Sequence, residues 1–345
     1  MKQIKVLHGF VNYGTQAGFL ARGLREQGVK ALSVANHDQF DRFIDVEFLH
    51  GGNIFQRVLK HSYNSARKFY WFFKYNTFHF YYGNTLFPWQ IDLPFYRLFG
   101  KKVVFHYLGN DVQGYKKSVE KYKWTNITAY IDKNDSLRHD LNIEKRVAFE
   151  SKYADLKFVC APCYSEFVPN ALVLPLAIDL KDFEYSDLPM NDILEIMHAP
   201  THRGNKGTDF IIKAIEKLIS EGAPISFNLV ENVTHDRLKE EYKKVDIFID
   251  QILGGWYGTA SIEAMALGRP VICSIRKSYF EYIDYGPEIP IIHADPDCIY
   301  DSIKYLINNR SKLPEIGKAS RRFVEKVHDV RNITTELIKY YQNLS

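Results

Sequence analysis

The stretch at residues 245–273, VDIFIDQILGGWYGTASIEAMALGRPVIC, decides the fold of this chain. Residues 246–249 are a short apolar run, residues 260–267 have a helix-forming composition that ends at Gly268, and residues 271–273 are again apolar. Runs of this kind predict a strand, a loop, a helix and a second strand. The stretch therefore indicates an α/β protein.

The loop before the predicted helix consists largely of small residues and leads directly into its first turn. The N–H groups of Gly258, Thr259 and Ala260 would point outwards at the positive end of the helix dipole, which suits a diphosphate. Glu263 falls one turn further on, where a carboxylate can accept hydrogen bonds from a neutral diol such as a ribose. The spacing therefore predicts a nucleotide diphosphate site.

This stretch resembles the donor-nucleotide signature of family-4 retaining glycosyltransferases of the GT-B fold. Residues 264–272, AMALGRPVI, follow the second half of that signature, and Glu263 stands where the family has its second glutamate. The resemblance implies that Glu263 holds the ribose. The first family glutamate, which the resemblance would assign to the sugar ring of the donor, is Gly255 in this chain.

Strand and helix patterns alternate through both halves of the sequence, which predicts two parallel sheets. The GT-B resemblance implies two Rossmann-like domains that face each other across a cleft. Residues 1–180 would form an acceptor-binding domain and residues 181–329 a nucleotide-sugar-binding domain. Residues 330–345 would form a terminal helix that crosses back to the first domain.

Length and composition agree with this reading. The chain has 345 residues, 46% hydrophobic and 25% charged, which is enough for two α/β domains with separate cores. Its net charge of +4 is too small to indicate a nucleic-acid partner, and no RNA- or DNA-binding motif is present. No signal peptide and no apolar run of membrane-spanning length is found, so we expect a cytoplasmic protein.

Two cysteines, Cys160 and Cys163, form a C-x-x-C motif after a predicted strand. A zinc site would need a second pair at comparable spacing, and Cys273 and Cys298 do not supply one. A thioredoxin-like pair would open a helix. The motif therefore favours two structural thiols, and we expect no metal or cofactor.

The loop after the first predicted strand, GFVNYGTQAG, contains several glycines. Their spacing fits neither the dinucleotide G-x-G-x-x-G nor the Walker pattern, which weakens an oxidoreductase or an ATPase. The glycosyltransferase resemblance implies that Gly14 lies at the cleft. An ordinary strand-to-helix turn explains the same glycine equally well.

A histidine lies near the carboxyl end of a later predicted strand. His106 lies near the carboxyl end of the predicted strand at residues 103–107, and ligands of open α/β sheets bind at such ends. The resemblance implies a histidine near the donor sugar, so His106 is a candidate catalytic residue. The alternative is a hydrogen-bonded structural histidine.

Two cations precede a helix in the second half of the chain. The loop APTHRGNKGT presents Arg203 and Lys206 beside Gly207. Cations next to a helix N-terminus can hold phosphate, Arg as a fork and Lys as a point charge. The resemblance implies that these two hold the donor diphosphate, whereas the alternative is a pair of solvated loop cations.

The helix predicted at residues 55–74 has two different faces. Its apolar positions predict a core face: Phe55, Val58, Leu59, Ala66, Phe69, Tyr70 and Phe73. The opposite face is basic and carries a tryptophan, as in helices that meet an anionic membrane surface. This stripe comprises Arg57, Lys60, Asn64, Arg67, Lys68, Trp71 and Lys74. The alternative is an ordinary solvated face, but the scarcity of acidic residues between positions 55 and 102 favours a membrane.

The family resemblance implies a retaining glycosyltransferase that moves a sugar from a nucleotide diphosphate donor to a glycan or lipid-linked acceptor. Protein groups rather than a metal would neutralise the departing phosphate. One alternative is a nucleotide-sugar epimerase of the same fold, which would need paired carboxylates and histidines in the cleft. A second is a catalytically silent subunit that binds a sugar nucleotide, which is compatible with Gly255.

Overall fold

The computed structural model describes residues 3–36 and 42–344. Its N-terminal half contains a sheet in which every pair of neighbouring strands is parallel. The strands are β1 Lys5–Phe10, β2 Lys30–Ala35, β3 Val46–Glu47, β4 Thr77–Tyr81, β5 Lys102–Tyr107, β6 Leu156–Val159 and β7 Leu172–Val173. Their order is β3-β2-β1-β4-β5-β6-β7, so the strand order reverses between β1 and β4. Open α/β sheets bind ligands at such a topological switch point.

Helices connect these strands and cover the sheet. They are α1 Gln16–Glu26, α2 Ile54–Lys74, α3 Leu93–Leu98, α4 Tyr115–Lys121 and α5 Ser136–Ser151. The strands are nearly continuous apolar runs because both faces of a parallel sheet are buried. For example, β4 is buried at every position.

The C-terminal half repeats this design around a second parallel sheet. Its strands are β8 Leu194–His198, β9 Ile225–Leu229, β10 Ile247–Ile249, β11 Val271–Cys273 and β12 Ile292–His293, in the order β12-β11-β10-β8-β9. Its helices are α6 Arg203–Lys206, α7 Thr208–Ser220, α8 His235–Lys243, α9 Thr259–Ala266, α10 Ile299–Asn308 and α11 Leu313–Val327.

The last helix, α12 Val330–Asn343, returns to the N-terminal sheet and packs against α1. The packing is close: a Cβ on Gly23 of α1 would lie 2.8 Å from Val330 Cγ2. Ile333 and Leu337 join the apolar core between the helices and the sheet. Among the described residues, no helix is both long enough and apolar enough to cross a bilayer.

Helix α2 is amphipathic as predicted, but its orientation is the reverse of the prediction. Trp71, expected at the surface, is 4% exposed, and the predicted core residue Phe55 is 71% exposed. The other large residues of the predicted core face are also exposed: Val58, Leu59, Phe69, Tyr70 and Phe73.

The middle of the basic stripe faces the body of the protein, whereas its two ends, Arg57 and Lys74, are exposed. Lys60 Nζ donates to the carbonyl of His50 at 2.9 Å, and Arg57 Nε donates to that of Gly52 at 2.8 Å. The Arg67 guanidinium lies 4.8 Å from the centre of the Trp71 ring. Cation–π contacts and backbone carbonyls thus satisfy this side of the helix, and the apolar side is left at the surface.

Candidate active site

A cleft of about 440 Å³ lies between the two halves of the protein. Both halves contribute to its walls through loops that follow β-strands, as expected for α/β sheets. The N-terminal side includes Tyr13, Gly14, Tyr82, Gly109, Asn110, Cys160 and Cys163. The C-terminal side includes Lys206, His235, Gln251, Gly258, Thr259, Ala260 and Glu263.

The N-terminus of α9 forms part of the C-terminal wall. Gly258 precedes the helix in an extended conformation, with φ −116° and ψ −168°, and the helix begins at Thr259. The first N–H groups of a helix have no partner inside it, and the helix dipole makes this end positive. Thr259 and Ala260 therefore present to the cleft an edge of N–H groups that suits an anion, whereas the N–H of Gly258 points to the Asp250 carboxylate.

Lys206 stands next to this edge because both contact the same carboxylate. Its Nζ donates to Asp250 Oδ1 at 2.5 Å, while Asp250 Oδ2 accepts from Ser261 Oγ at 2.5 Å and lies 3.5 Å from the N–H of Gly258. Asp250 thus connects the lysine at the end of α6 with the first turn of α9. The Lys206 side chain keeps 11% exposure, on the wall of the cleft.

Asp250 remains ionised although it is almost fully buried. Burial opposes the charge, but the Lys206 cation and the hydrogen bonds from Lys206 and Ser261 outweigh it, so the pKa of Asp250 lies below its ordinary value. A buried carboxylate with such partners fixes the position of the lysine ammonium. We therefore assign Asp250 a positioning role.

Arg203 is not brought together with Lys206. Its guanidinium pairs with Glu231, with Nε–Oε1 at 2.9 Å and Nη2–Oε2 at 2.5 Å, and its side chain is 52% exposed. Among the described residues that line the cleft, Arg203 is absent. The predicted pair of phosphate-binding cations is therefore reduced to Lys206 in this conformation.

Glu263 lies in the cleft as predicted, and it has a partner that the sequence did not indicate. His235 Nε2 is 2.8 Å from Glu263 Oε1, and both residues line the same wall. His235 is the first residue of α8, and the Thr234 hydroxyl caps that helix by accepting from the N–H of Arg237 at 3.3 Å. The cap fixes the start of α8, and the histidine fixes the glutamate.

Gly14 approaches the N-terminus of α9 from the other side of the cleft. It has a positive φ of 53°, and a Cβ at this position would lie 2.6 Å from Thr259 Oγ1. Glycine is needed here for both reasons, because a side chain would be strained and would meet the opposite wall. Gly14 therefore belongs to the closed cleft.

Gly255 stands where the family pattern has its first glutamate, and the Arg276 side chain fills the space beside it. Gly255 has φ 73°, and a Cβ there would collide with the guanidinium of Arg276. Arg276 Nη2 donates to the carbonyls of Trp124 and Leu253, and its guanidinium lies 3.9 Å from the Tyr122 ring centre. Since Trp124 and Tyr122 belong to the N-terminal half, Arg276 ties the two halves together where the family pattern has a carboxylate.

His106 is not part of the cleft, and its predicted role beside the donor sugar needs correction. Its side chain is 1% exposed and lies on the sheet face that α1 and α12 cover. Within the described part of the chain it does not line the cleft. Its Nδ1 is 3.2 Å from His79 Nε2, and burial lowers its pKa to about 3. His106 is therefore a buried, hydrogen-bonded structural histidine, which was the alternative prediction.

The C-x-x-C thiols line the cleft as buried, unoxidised cysteines. Burial raises the pKa of Cys163 to about 12 and that of Cys160 well above its usual value. A thiol in this state is a poor nucleophile and a poor metal ligand. The two residues therefore act as small apolar side chains in the wall.

Asp111 holds one loop of the cleft wall in place. Its Oδ1 accepts from the N–H of Gly109 at 2.8 Å and from that of Leu108 at 3.2 Å, so it fixes the loop that carries Gly109 and Asn110. Burial raises the pKa of Asp111 to about 7, against the lowering effect of Arg146. Asp111 thus supports the cleft loop through its backbone bonds.

No protein-family model matches the chain, and no curated protein matches it. Solved structures do match. The chain is similar to sucrose-phosphate synthase from Thermosynechococcus elongatus, with a TM-score of 0.62 and 18% identity over 99% of each chain. It is also similar to HepE from Anabaena in complex with UDP-glucose, with a TM-score of 0.62 and 12% identity over 99% of this chain and 100% of that one.

A third likeness is to a putative UDP-N-acetylglucosamine 2-epimerase from Listeria monocytogenes, with a TM-score of 0.55 and 14% identity. It covers 97% of this chain and 95% of that one. The chain has the GT-B fold, which confirms the predicted fold class.

Proposed function

We propose that this protein is a retaining glycosyltransferase that uses a nucleoside diphosphate sugar as donor and needs no divalent metal. The observation that carries the proposal is that Lys206, the first turn of α9 and Glu263 line one wall of the cleft. The first two suit a diphosphate, and Glu263 with His235 suits the ribose hydroxyls. The GT-B fold, with neighbours that include a structure in complex with UDP-glucose, supports the same donor class.

The chemistry follows from where negative charge would develop. When the sugar–phosphate bond breaks, charge accumulates on the departing diphosphate, and preorganised donors at that place lower the barrier. The Lys206 ammonium, held by Asp250, and the N–H groups of Thr259 and Ala260 at the start of α9 are such donors. The departing phosphate oxygen can then accept the proton of the acceptor hydroxyl, so retention needs no separate carboxylate base.

The test is a panel of nucleotide sugars, including UDP sugars, incubated with free and lipid-linked glycan acceptors. Release of nucleoside diphosphate that depends on an acceptor, persists with a chelator and gives a retained anomeric configuration is the expected result. An epimerised donor without transfer would instead identify the epimerase alternative. Nucleotide binding with neither reaction would identify a silent binding subunit.

The structure favours transfer over epimerisation on one point. Epimerisation by proton transfer would need titratable pairs on both sides of a sugar ring. In the described part of the cleft wall, the carboxylate–histidine pair is Glu263 and His235, and these two engage each other on the C-terminal side. This arrangement fits a binding role better than a pair of opposed proton-transfer groups.

Replacing Glu263 with glutamine should weaken the binding of the nucleoside diphosphate. The change replaces a charged hydrogen-bond acceptor by a neutral one and so loses about 1 to 1.5 kcal/mol, which corresponds to a rise in Kd of about 5- to 10-fold. Titration calorimetry with UDP and other nucleoside diphosphates measures it. The matched control is Glu240→Gln on the exposed side of α8, and equal affinities for both variants would contradict the ribose role.

Replacing Gly14 with alanine should lower kcat/KM by about tenfold or more. A non-glycine residue in a left-handed conformation costs about 1 to 2 kcal/mol, and the new methyl group would press on Thr259 across the cleft. Steady-state kinetics measures the loss. The double variant Gly14→Ala/Thr259→Gly should recover part of it, because the contact partner is gone. A Gly14→Ala variant with normal kcat/KM, or a double variant that recovers none of the loss, would show that the two walls do not meet during turnover.

A further inference from the structure

Helix α2 and the segment around α3 expose an unusual amount of apolar surface. On α2, Ile54 is 82% exposed and Phe55 71% exposed. Near α3, Trp89 is 91% exposed and Leu98 75% exposed. Apolar surface on this scale marks an interaction site, since isolated exposed apolar residues are normal but a contiguous patch is not.

The patch is continuous because ring contacts join the two segments. Phe69 of α2 lies 5.1 Å from Phe87, centre to centre, and Phe73 of α2 lies 6.1 Å from Phe99 after α3. We name this surface the α2–α3 face. Its large exposed members are Ile54, Phe55, Val58, Leu59, Tyr63, Phe69, Tyr70, Phe73, Trp89, Ile91, Phe95, Leu98 and Phe99.

The charge around the face is of one sign. Residues 54–102 contain many lysines and arginines, and their sole acidic residue is Asp92. Asp92 is 3% exposed, accepting from Thr85 Oγ1 at 2.6 Å and from the Tyr96 hydroxyl at 2.7 Å, so its charge does not reach the surface. The exposed cations Arg57, Lys74 and Arg97 therefore border an apolar face without any acidic neighbour from this segment.

We infer that the α2–α3 face inserts into the headgroup region of an anionic lipid bilayer. An amphipathic helix that lies in the interface buries its apolar face among the upper acyl chains and keeps its cations near the lipid phosphates. The exposed indole of Trp89 fits the same depth, because tryptophan concentrates at the bilayer–water boundary. The orientation of α2 makes this possible, since its apolar side points outwards and the exposed cations at its two ends, Arg57 and Lys74, flank that side.

Charge complementarity favours lipid over a second copy of the chain as the occupant. Two copies that met through this face would bring like cations together, which costs free energy, especially where water is excluded. An anionic leaflet instead attracts each cation. The face therefore has the electrostatics of a lipid-binding surface and not of a self-complementary one.

The face is linked to the cleft by one loop. Tyr82, at the end of β4, lines the cleft, and Trp89 lies farther along the same connection. Gln90 Nε2 donates to the carbonyl of Gly83 at 2.6 Å, which closes this loop on itself. If the proposed transfer holds, and this consequence rests on it, the acceptor reaches the cleft from the bilayer and is lipid-linked.

Vesicle co-sedimentation tests the inference without any substrate, so its outcome is independent of the proposed function. The full chain is mixed with phosphatidylcholine vesicles that contain or lack phosphatidylglycerol. We expect binding to the anionic vesicles, weakened by salt, and at least about tenfold less binding to the neutral ones. The variant Phe55→Ser/Trp89→Ser/Leu98→Ser should bind the anionic vesicles at least about tenfold less than wild type. These side chains are so exposed that the fold does not depend on them.

Matched controls separate the face from general surface effects. The variant Leu137→Ser/Ile193→Ser/Ile219→Ser changes exposed apolar residues elsewhere and should bind as wild type does. Wild-type protein that stays in the supernatant with anionic vesicles at low salt would overturn the inference. Light scattering gives a second decisive reading: a dimer that the Phe55, Trp89 and Leu98 substitutions dissociate would identify a second copy as the occupant and would also overturn it.

Discussion

Replacing Lys206 with alanine should lower the turnover of the nucleotide sugar by about two to three orders of magnitude. Removal of one preorganised donor to a developing negative charge typically costs about 3 kcal/mol of transition-state stabilisation. Lys206 lies on the cleft wall beside the N-terminus of α9, whereas Arg203 is engaged with Glu231 and does not line the described part of the cleft. Steady-state release of nucleoside diphosphate with the identified donor and acceptor measures the effect.

The design of this experiment must account for Asp250. In Lys206→Ala the buried carboxylate loses its cation, and an uncompensated buried charge costs about 3 to 5 kcal/mol of stability. The double variant Lys206→Ala/Asp250→Asn removes both charges and should fold more stably than the single variant while it remains as inactive. Thermal unfolding of both variants, recorded beside the kinetics, separates lost stability from lost catalysis.

Two further variants complete the comparison. Asp250→Asn keeps the ammonium but loosens its position, so its activity should fall between wild type and the double variant. Lys213→Ala, on the exposed side of α7, is the matched control and should be fully active. Turnover by Lys206→Ala within a few-fold of the control would show that the diphosphate is neutralised elsewhere, and the proposed phosphate site would be wrong.

The sequence predicted the parts of the site that local backbone structure determines. The strand, glycine-containing loop and helix at residues 246–273 need no information from the rest of the chain. The structure accordingly places the start of α9 and Glu263 on the cleft wall. Hydrogen-bonding rules for helix ends are local, so these positions could be inferred from composition and spacing.

The pairings of the site could not be predicted because they join residues far apart in the sequence. Lys206 meets Asp250 across 44 positions, and His235 meets Glu263 across 28. One weak signal was present: Asp250 directly follows β10, and side chains at the carboxyl ends of parallel strands collect at one edge of the sheet. The partner of such a carboxylate depends on strand order, which the sequence does not display.

The reversed orientation of α2 has a related cause. Hydrophobic periodicity correctly divided the helix into an apolar and a basic side. It could not say which side meets the protein, because that depends on what the rest of the fold offers. Here the fold offers carbonyls at His50 and Gly52, which bind cations. The apolar side was therefore available for a partner outside the chain.

The error at His106 came from the geometry of strands. Successive side chains of a strand point to opposite faces of the sheet, so a residue near the carboxyl end can be buried under a helix and still be close in sequence to the cleft loop. His8 of β1 and His79 of β4 are directly in register, and Tyr81 of β4 is in register with His106 of β5. Three histidines thereby gather on the face beneath α12, an arrangement that appears once the strand order is known.

This cluster leads to a second large expected effect: acid should destabilise the protein strongly. His8 Nδ1 is 2.8 Å from the Tyr81 hydroxyl, His79 Nδ1 is 2.6 Å from the Tyr341 hydroxyl of α12, and the His8 and His79 rings stack 4.7 Å apart. Among the described residues, Nε2 of His8 and of His106 has no hydrogen-bond partner. Burial lowers the pKa of His8 and of His106 to about 3, and that of His79 well below its usual value.

The sign of the effect follows from where each state binds protons. In the unfolded chain a histidine has a pKa of about 6.5. Below about pH 6.5 the unfolded state therefore binds protons that the buried cluster of the folded state does not bind. Stability is therefore lost as the pH falls through this value, and the loss continues down to the folded pKa. Between about pH 7 and about pH 5 each histidine should cost about 2 kcal/mol in the free energy of unfolding.

Urea unfolding of the wild type and of His106→Asn at both pH values tests this expectation. Asparagine can keep a polar atom near the position of Nδ1 and cannot titrate. The variant should start from a lower stability at neutral pH because the smaller side chain leaves space, but its loss on acidification should be about 2 kcal/mol smaller than that of the wild type. His61→Gln, on the exposed side of α2, is the control and should show the wild-type loss. An equal loss in His106→Asn and wild type would mean that His106 takes up its proton in the folded protein as readily as in the unfolded chain, and the buried neutral cluster beneath α12 would have to be abandoned.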